Sequence, residues 1–290
     1  MINQSLDVCV GTFFMNSNLV AIQGVRGSFH HIAAMKVFSE QVHVNPCQSF
    51  DAAVQSLLSG NSNELIMALE NSIAGSILPN YALIDANDLV ITAECYLDVQ
   101  HHLMVLGQQT MSDLKEVHSH PMALLQCKEY LKRFPHLKLV EAKDTAEVAQ
   151  WIKTKQIKEV AAIASKAAAE LFDLTILASS IQTIKHNETR FVVLNRRDEQ
   201  QLLDMYDKAS LKFELSHKRG SLASVLNVLS DCNLNLTKIQ SLPKIHTPWK
   251  YAFFVDVTFD DVADYSKARD ILNIMAENFR VLGVYKNAKA

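Results

Sequence analysis

From Leu19 onward the chain runs in short apolar blocks, each followed by a polar loop and then by apolar residues at helical spacing. Leu19-Val20-Ala21-Ile22 is too short for a helix and reads as a buried strand. It ends in Gly24-Val25-Arg26-Gly27-Ser28, after which Phe29, Ile32, Ala33 and Val37 share a helical face behind Ser28 as N-cap. Ser49 caps a second helix carrying Phe50, Val54, Leu57 and Leu58, closed by Gly60 at the position after the C-cap. Leu65 to Leu69 predicts a strand that runs into Glu70-Asn71-Ser72 and a loop holding Gly75. Leu89 to Cys95 predicts another. Glu116-Val117-His118 leads through Ser119-His120 to Pro121, which suits the first position of a helix reaching Phe134. Thr145 caps a helix through Ile152, Val160 to Ala164 is a strand, and Lys166 to Phe172 a helix. Strands alternating with helices predict an α/β fold with a parallel or mixed sheet.

The pattern changes at Arg196 to Gln201, a charged run without apolar period, where we expect a linker. Beyond it Leu211-Lys212-Phe213-Glu214-Leu215 alternates as a strand, and Gly220-Ser221-Leu222 opens a helix with Leu222, Val225, Leu226 and Leu229. Two strands (Leu234 to Ile239, Tyr251 to Phe259), a helix (Tyr265 to Asn278) and a last strand (Val281 to Tyr285) complete a βαββαβ order, which is ferredoxin-like. We therefore expect two domains, 19–197 and 206–288. Met1 to Asn18 shows no clear period, and Met15 is as good a start as Met1.

Composition narrows the function. Hydrophobic residues are 49% of the 290 and charged residues 20%, which excludes a disordered chain. With 28 Lys and Arg against 31 Asp and Glu the net charge is −3, so no nucleic-acid partner is expected. No run of about 18 apolar residues predicts a membrane span, and Met1 to Met15 lacks the basic start of a secretory signal, so a cytoplasmic location is expected. The five cysteines are scattered without a CxxC, which reads as reduced thiols.

In open α/β sheets ligands sit beyond the carboxyl ends of strands. Four polar loops follow strands: Gly24 to Ser28, Glu70 to Gly75, Ser119 to Pro121, and Asn187 to Arg190. Three adjoin helix starts, which suit anions. The first lacks a P-loop ending, so it is either an anion site or a simple strand-to-helix turn. His101-His102 and His118/His120 lack metal-ligand spacing, and no metal or cofactor is expected. Arg190 is costly to bury without an anionic partner: it is either a ligand holder or one half of a structural salt bridge. Strand alternation puts Thr189 and Phe191 on one face and Arg190 on the other.

Taken in order, these loops resemble prephenate dehydratase over nearly the whole chain after residue 18. Gly24-Val25-Arg26-Gly27-Ser28-Phe29 resembles the family's GPxG[ST]F loop, and Glu70-Asn71-Ser72 with Gly75-Ser76 its ENSxxGS motif. Ser119-His120-Pro121 with Gln126-Cys127 resembles SHPQAL-x-QC; Ile163-Ala164-Ser165 and Asn187-Glu188-Thr189-Arg190-Phe191 resemble its IAS and N-x-TRF signatures. The C-terminal unit resembles an ACT domain, with Gly220-Ser221-Leu222 at its GAL motif and Leu234 to Ile239 at INLTKI. The chain departs from the pattern at Val25 (Pro), His30 (a small hydroxyl residue), Met122 (Gln) and Asp144 (Ser or Asn), and the ACT ESRP reads Gln240-Ser241-Leu242-Pro243.

The resemblance implies a two-lobed, periplasmic-binding-protein-like α/β catalytic domain plus the ACT domain, with chain crossings near Ala93 to His101 and Leu177 to Gln182. It implies a lyase of phenylalanine biosynthesis that converts prephenate to phenylpyruvate, CO2 and water without a cofactor. Thr189 would donate to the departing hydroxyl, Arg190 would hold a carboxylate, and Asn71, Ser119 and Gln126 would complete the catalytic set. Gly27, Ser28, Ser72, Asn187 and Phe191 would bind substrate, and Glu70 would orient its neighbours. Gly220, Ser221, Leu222, Gln240 and Ser241 would form the regulatory site for the effector L-phenylalanine, with weakened or altered inhibition because of Gln240 and Leu242. A homodimer or homotetramer is expected. No segment for a chorismate mutase bundle precedes Leu19, so the chain reads as monofunctional. Arogenate dehydratase and a non-enzymatic metabolite sensor are the competing readings; a pure sensor has no need for the full set of polar loops.

Overall fold

The computed structural model describes residues 19–197, 206–216, 218–244, 247 and 250–289. The expectations for Met1 to Asn18, and for the linker from residue 198 on, fall outside the described residues.

The first lobe is laid down as β1 (Leu19–Gln23), α1 (Phe29–Val37), β2 (His43–Cys47), α2 (Phe50–Leu58), β3 (Glu64–Asn71), β4 (Gly75–Ser76), α3 (Leu78–Ala86) and β5 (Leu89–Asp98). The chain crosses at 99–101 into a second lobe. This comprises β6 (His102–Val105), β7 (Glu116–Ser119), α4 (Pro121–Gln126), α5 (Lys128–Leu131), β8 (Lys138–Glu141), α6 (Thr145–Lys155), β9 (Val160–Ala164), α7 (Lys166–Leu171) and β10 (Thr175–Ala178). It returns through 179–187 as β11 (Glu188–Arg196), which inserts into the first sheet. The sheet orders are β2-β1-β3-β11-β5, with β4 paired to β3, and β10-β6-β9-β7-β8.

β1 runs parallel to β2 and β3, whereas β11 is antiparallel to β3 and β5. Thr189 lies opposite Asn71 and Arg190 opposite Glu70, but Phe191 lies opposite Ala68, so Leu69 is an extra residue on β3. Such a bulge re-aims side chains. Here it lets Ala68 and Asn71, three apart, face the same side.

Ser28 and Ser49 cap α1 and α2 as expected, accepting from His31 N and Ala52 N. Two local expectations are corrected. Asp144, not Thr145, is the N-cap of α6: its Oδ1 accepts from Ala146 N at 2.8 Å and Glu147 N at 2.9 Å. Both residue types can cap, and the carboxylate one position earlier meets two amides at once. The single helix expected over 121–134 breaks at Cys127, whose φ of −97° and ψ of 7° leave the helix. The Gln126 carbonyl, which would continue the ladder, is instead bonded by Thr183 N at 2.8 Å.

The C-terminal unit is β12 (Lys208–Glu214), α8 (Ser221–Asp231), β13 (Asn235–Pro243), β14 (Tyr251–Thr258), α9 (Val262–Met275) and β15 (Glu277–Tyr285). Its strands form an antiparallel sheet in the order β13-β14-β12-β15, the βαββαβ topology read from the sequence. One face, with Ala209, Leu211, Phe213, Val255 and Val257, packs with Val225, Leu229, Ala268 and Leu272 of the helices. The other face lies on the first lobe. There Ala252, Phe254, Leu282 and Tyr285 share a core with Leu69, Tyr81, Ile84 and Ile91. The polar positions of β12, namely Lys208, Ser210, Lys212 and Glu214, are therefore buried along with the apolar ones. The backbones meet at Gly283, where a Cβ would lie 2.0 Å from the Ile91 carbonyl oxygen.

Candidate active site

Between the two lobes lies a cleft of about 570 Å³. Its floor is the front face of β3 and β11, with Ala68, Asn71, Thr189 and Phe191. The starts of α1, α2 and α6 border it through Phe29, Ser49 and Thr145, and the second lobe adds His120, Met122 and Gln126. Val99 and His101 enter from the first crossing.

One hydrogen-bonded chain runs along this floor, and its polarity is fixed from one end. Asn71 Oδ1 accepts from two backbone amides, Ile73 N at 3.0 Å and Ala74 N at 2.9 Å. Its Nδ2 must then be the donor toward Thr189 Oγ1 (2.9 Å) and Asn187 Oδ1 (2.7 Å). With its oxygen so engaged, Asn187 donates through Nδ2 to Gln126 Oε1 at 2.9 Å. Gln126 Oε1 also faces His101 Nε2 at 2.9 Å, so that nitrogen carries the ring proton. At the other end, Thr189 Oγ1 accepts from Asn71 and keeps its own proton to give to a ligand.

The structure thus gathers Asn71, Gln126, Asn187, Thr189 and Phe191 at one place, as the sequence suggested. Other expected site residues are turned to different tasks. Arg190 points away from the cleft, as strand alternation requires. Its Nε bonds Glu94 Oε2 at 2.7 Å, its Nη1 meets Asp256 Oδ2, and its Nη2 bonds Tyr285 Oη at 2.7 Å. Burial works against its charge, but Asp256, then Tyr285 and Glu94, outweigh that and hold the guanidinium well above its ordinary pKa. The salt-bridge reading of Arg190 wins, and the expectation that it holds a substrate carboxylate is corrected. Its partners line, or lie beside, a second cavity of about 330 Å³ between the first lobe and the C-terminal unit. There Glu70 also turns its back on the cleft and pairs with Lys238 at 2.6 Å.

The Gly27–Ser28 loop does not offer free amides to a carboxylate. Gly27 N bonds His31 Nδ1 at 3.1 Å, and Ser28 N bonds Val25 O at 3.1 Å. Gly27, at a φ of +89°, is pressed on α7, where a Cβ would stand 3.1 Å from Ala168 Cα, and its carbonyl accepts from Ser165 Oγ at 2.7 Å. The loop is a lobe-to-lobe contact. Ser119, fully buried, donates to Ile163 O at 2.6 Å and ties β7 to β9. Ser72 Oγ accepts from Glu188 N at 2.9 Å and ties the end of β3 to β11. Neither lines the cleft.

Four cleft residues were not assigned from the sequence. His101 lacks metal-ligand spacing; its place in the crossing, directly before β6, is the available signal. Its pKa is lowered by burial, partly offset by the bond to Gln126. His30, noted as a departure, packs edge-on against Phe191 (centroids 5.1 Å apart) and accepts from Ala68 N at 3.3 Å; burial depresses its pKa to about 4. Asn80, on α3, is fully buried and donates to Ala68 O at 2.7 Å. Asp144 places a carboxyl on the cleft wall, its pKa raised by burial although the amides of Glu147 and Ala146 pull it down. Among the described residues no group of three metal-ligating side chains occurs.

A prephenate dehydratase family model matches residues 20–199. The chain belongs to the prephenate dehydratase family. It is 30% identical over 271 residues to a bifunctional chorismate mutase/prephenate dehydratase of Enterobacter agglomerans, covering 92% of this chain and 70% of that one. It is 38% identical over 224 residues to arogenate dehydratase 2 of Petunia hybrida, covering 77% of this chain and 56% of that one. The crystal structure of a prephenate dehydratase from Arthrobacter aurescens, in complex with L-Phe, superimposes with a TM-score of 0.84 at 23% identity, covering 93% and 90% of the two chains. That likeness establishes the two-lobed fold and its appended unit.

Proposed function

We propose that the cleft carries out the decarboxylating dehydration of prephenate to phenylpyruvate, a carbon–oxygen lyase step of L-phenylalanine biosynthesis. The observation that carries the reading is the polarity of the Asn71–Thr189 pair. Because Asn71 Nδ2 donates to Thr189 Oγ1, the threonine proton is free for the hydroxyl that leaves the substrate ring.

In this reading the C–O bond breaks as the ring carboxylate departs as CO2, and the electron pair of the broken C–C bond aromatises the ring. The departing oxygen leaves as water, so one proton is consumed overall. Thr189 stabilises charge on that oxygen through a preorganised hydrogen bond, which is worth most in a site that excludes water. Asn71, Asn187 and Gln126 hold Thr189 and present amide groups to the substrate; Phe191 and Phe29 supply apolar wall for the ring. With Arg190 turned away, the substrate carboxylates fall to Lys143 and to the helix starts at Phe29 and Ser49, whose dipoles favour anions.

The units 19–197 and 206–288 are then a catalytic and an ACT domain. We assign L-phenylalanine as effector at Gly220, Ser221, Leu222, Gln240 and Ser241. Gly220, at a φ of +83°, is the N-cap of α8, and Gln240 and Ser241 lie on β13. A homodimer or homotetramer completes this picture; light scattering that finds only monomer would remove that part of it. No helix among the described residues is long and apolar enough to cross a membrane, and we place the enzyme in the cytoplasm.

The test is to mix the purified chain with prephenate and follow phenylpyruvate, with and without L-phenylalanine. Turnover that is lost in Thr189→Ala is expected. A folded protein that makes no phenylpyruvate would overturn the reading.

A further inference from the structure

We propose that Asp144 is a specificity-determining residue of the cleft, whose carboxylate selects a side chain bearing an ammonium, as in arogenate, over the keto group of prephenate. The inference rests on the dehydratase reading above: prephenate remains a substrate of the cleft, and arogenate is the better one.

Capping α6 needs only one acceptor atom, and a serine or asparagine supplies it as well as an aspartate does. Here Oδ1 alone does the capping, taking both Ala146 N and Glu147 N. Oδ2 has no hydrogen-bond or ion-pair partner among the described residues, and it is not sealed off from solvent. The second oxygen and the negative charge are thus surplus to the helix.

They are also well aimed. Asp144 belongs to the second lobe, yet its Oδ2 reaches the end of β1 in the first: a Cβ on Gly24 would stand 2.9 Å from it. Gly24, at a φ of +91°, leaves room for the carboxylate, and its neighbour Gln23 lines the cleft together with Asp144. Charged groups nearby do not neutralise it. Lys143, its chain neighbour on the wall, is exposed and makes no ion pair with it, Glu147 repels it, and His120 is the remaining titratable group facing it.

A half-buried carboxylate without a cation repels a dianionic keto acid. It attracts a substrate that keeps both carboxylates but carries an ammonium in place of the keto group. Such an ammonium would bring the missing donor to Oδ2.

The experiment measures kcat/KM for arogenate and for prephenate in the wild type, Asp144→Asn and Asp144→Ser. Both variants keep a capping oxygen, and thermal melts verify their folding. The arogenate-to-prephenate ratio is expected to fall about 10- to 100-fold in both variants, the range for one hydrogen bond to a charged group. Turnover of prephenate but not arogenate by the wild type, or an unchanged ratio, would overturn the proposal. If neither substrate is turned over, the dehydratase reading itself fails. Calorimetric binding of arogenate then judges Asp144 separately, and equal affinity, or no binding, in wild type and Asp144→Asn sinks it.

Discussion

Thr189 and Arg190 are consecutive in β11 and serve different ends of the molecule. The threonine faces the inter-lobe cleft beside Asn71, while the arginine faces backward and is held by Glu94 of the first lobe and by Asp256 and Tyr285 of the C-terminal unit. The strand that carries the hydrogen-bond donor is therefore fastened directly to the C-terminal sheet.

Because that fastening is a buried ion cluster, Arg190 should behave as a structural residue. Arg190→Met leaves Glu94 and Asp256 without a full counter-charge, and removal of one partner of a buried pair costs about 3–5 kcal/mol. Denaturant unfolding should show that loss. A variant of wild-type stability with only a raised KM for prephenate would instead restore the carboxylate-holder role.

The polarity of the floor predicts an unusual equivalence. Asn71→Asp is nearly isosteric, but it replaces the Nδ2 donor with an acceptor that would claim the Thr189 proton. Thr189→Ala should lower kcat by about 100- to 1,000-fold, and Asn71→Asp by a similar factor. The double variant should add little, since both remove the same hydrogen bond. Near-normal kcat in Asn71→Asp would show that the chain of donors runs the other way.

Gly283 has an ordinary strand conformation, so its requirement is one of space. A methyl group there would overlap the Ile91 carbonyl of β5. Gly283→Ala should cost at least the roughly 1–3 kcal/mol typical of overpacking, and limited proteolysis should cut more readily between the first lobe and the C-terminal unit. An unaltered melting temperature would mean that the sheets can separate at no cost.

His30 makes stability depend on pH with a definite sign. Its pKa is near 6.5 when unfolded and about 4 when folded, so between these values the unfolded chain binds the extra proton. Stability should fall as pH drops from 6.5 toward 4 and level off below, by up to about 3 kcal/mol from this group. Unfolding free energies for the wild type and His30→Gln across that window should differ in slope. Parallel curves would assign the acid sensitivity elsewhere.

The order of elements, the βαββαβ tail and the caps at Ser28 and Ser49 follow from local pattern, because apolar period and cap chemistry act over a few residues. The gathering of Asn71, Gln126, Asn187 and Thr189 was expected from the resemblance of their motifs, although Thr189 lies within β11 and Gln126 at the end of α4 rather than in loops after strands. What pattern could not carry was orientation and partnership. The bulge at Leu69, which sends Ala68 and Asn71 to one face, appears only when β11 pairs with β3. The burial of Lys208, Ser210, Lys212 and Glu214 depends on a second sheet covering the polar side of a strand that alternates as if half-exposed. The role of Arg190 turned on where Glu94, Asp256 and Tyr285 would lie, residues 66 to 96 positions away in the chain. A charge chooses its partner by distance in space, and that distance is set only once the lobes and the C-terminal sheet have packed.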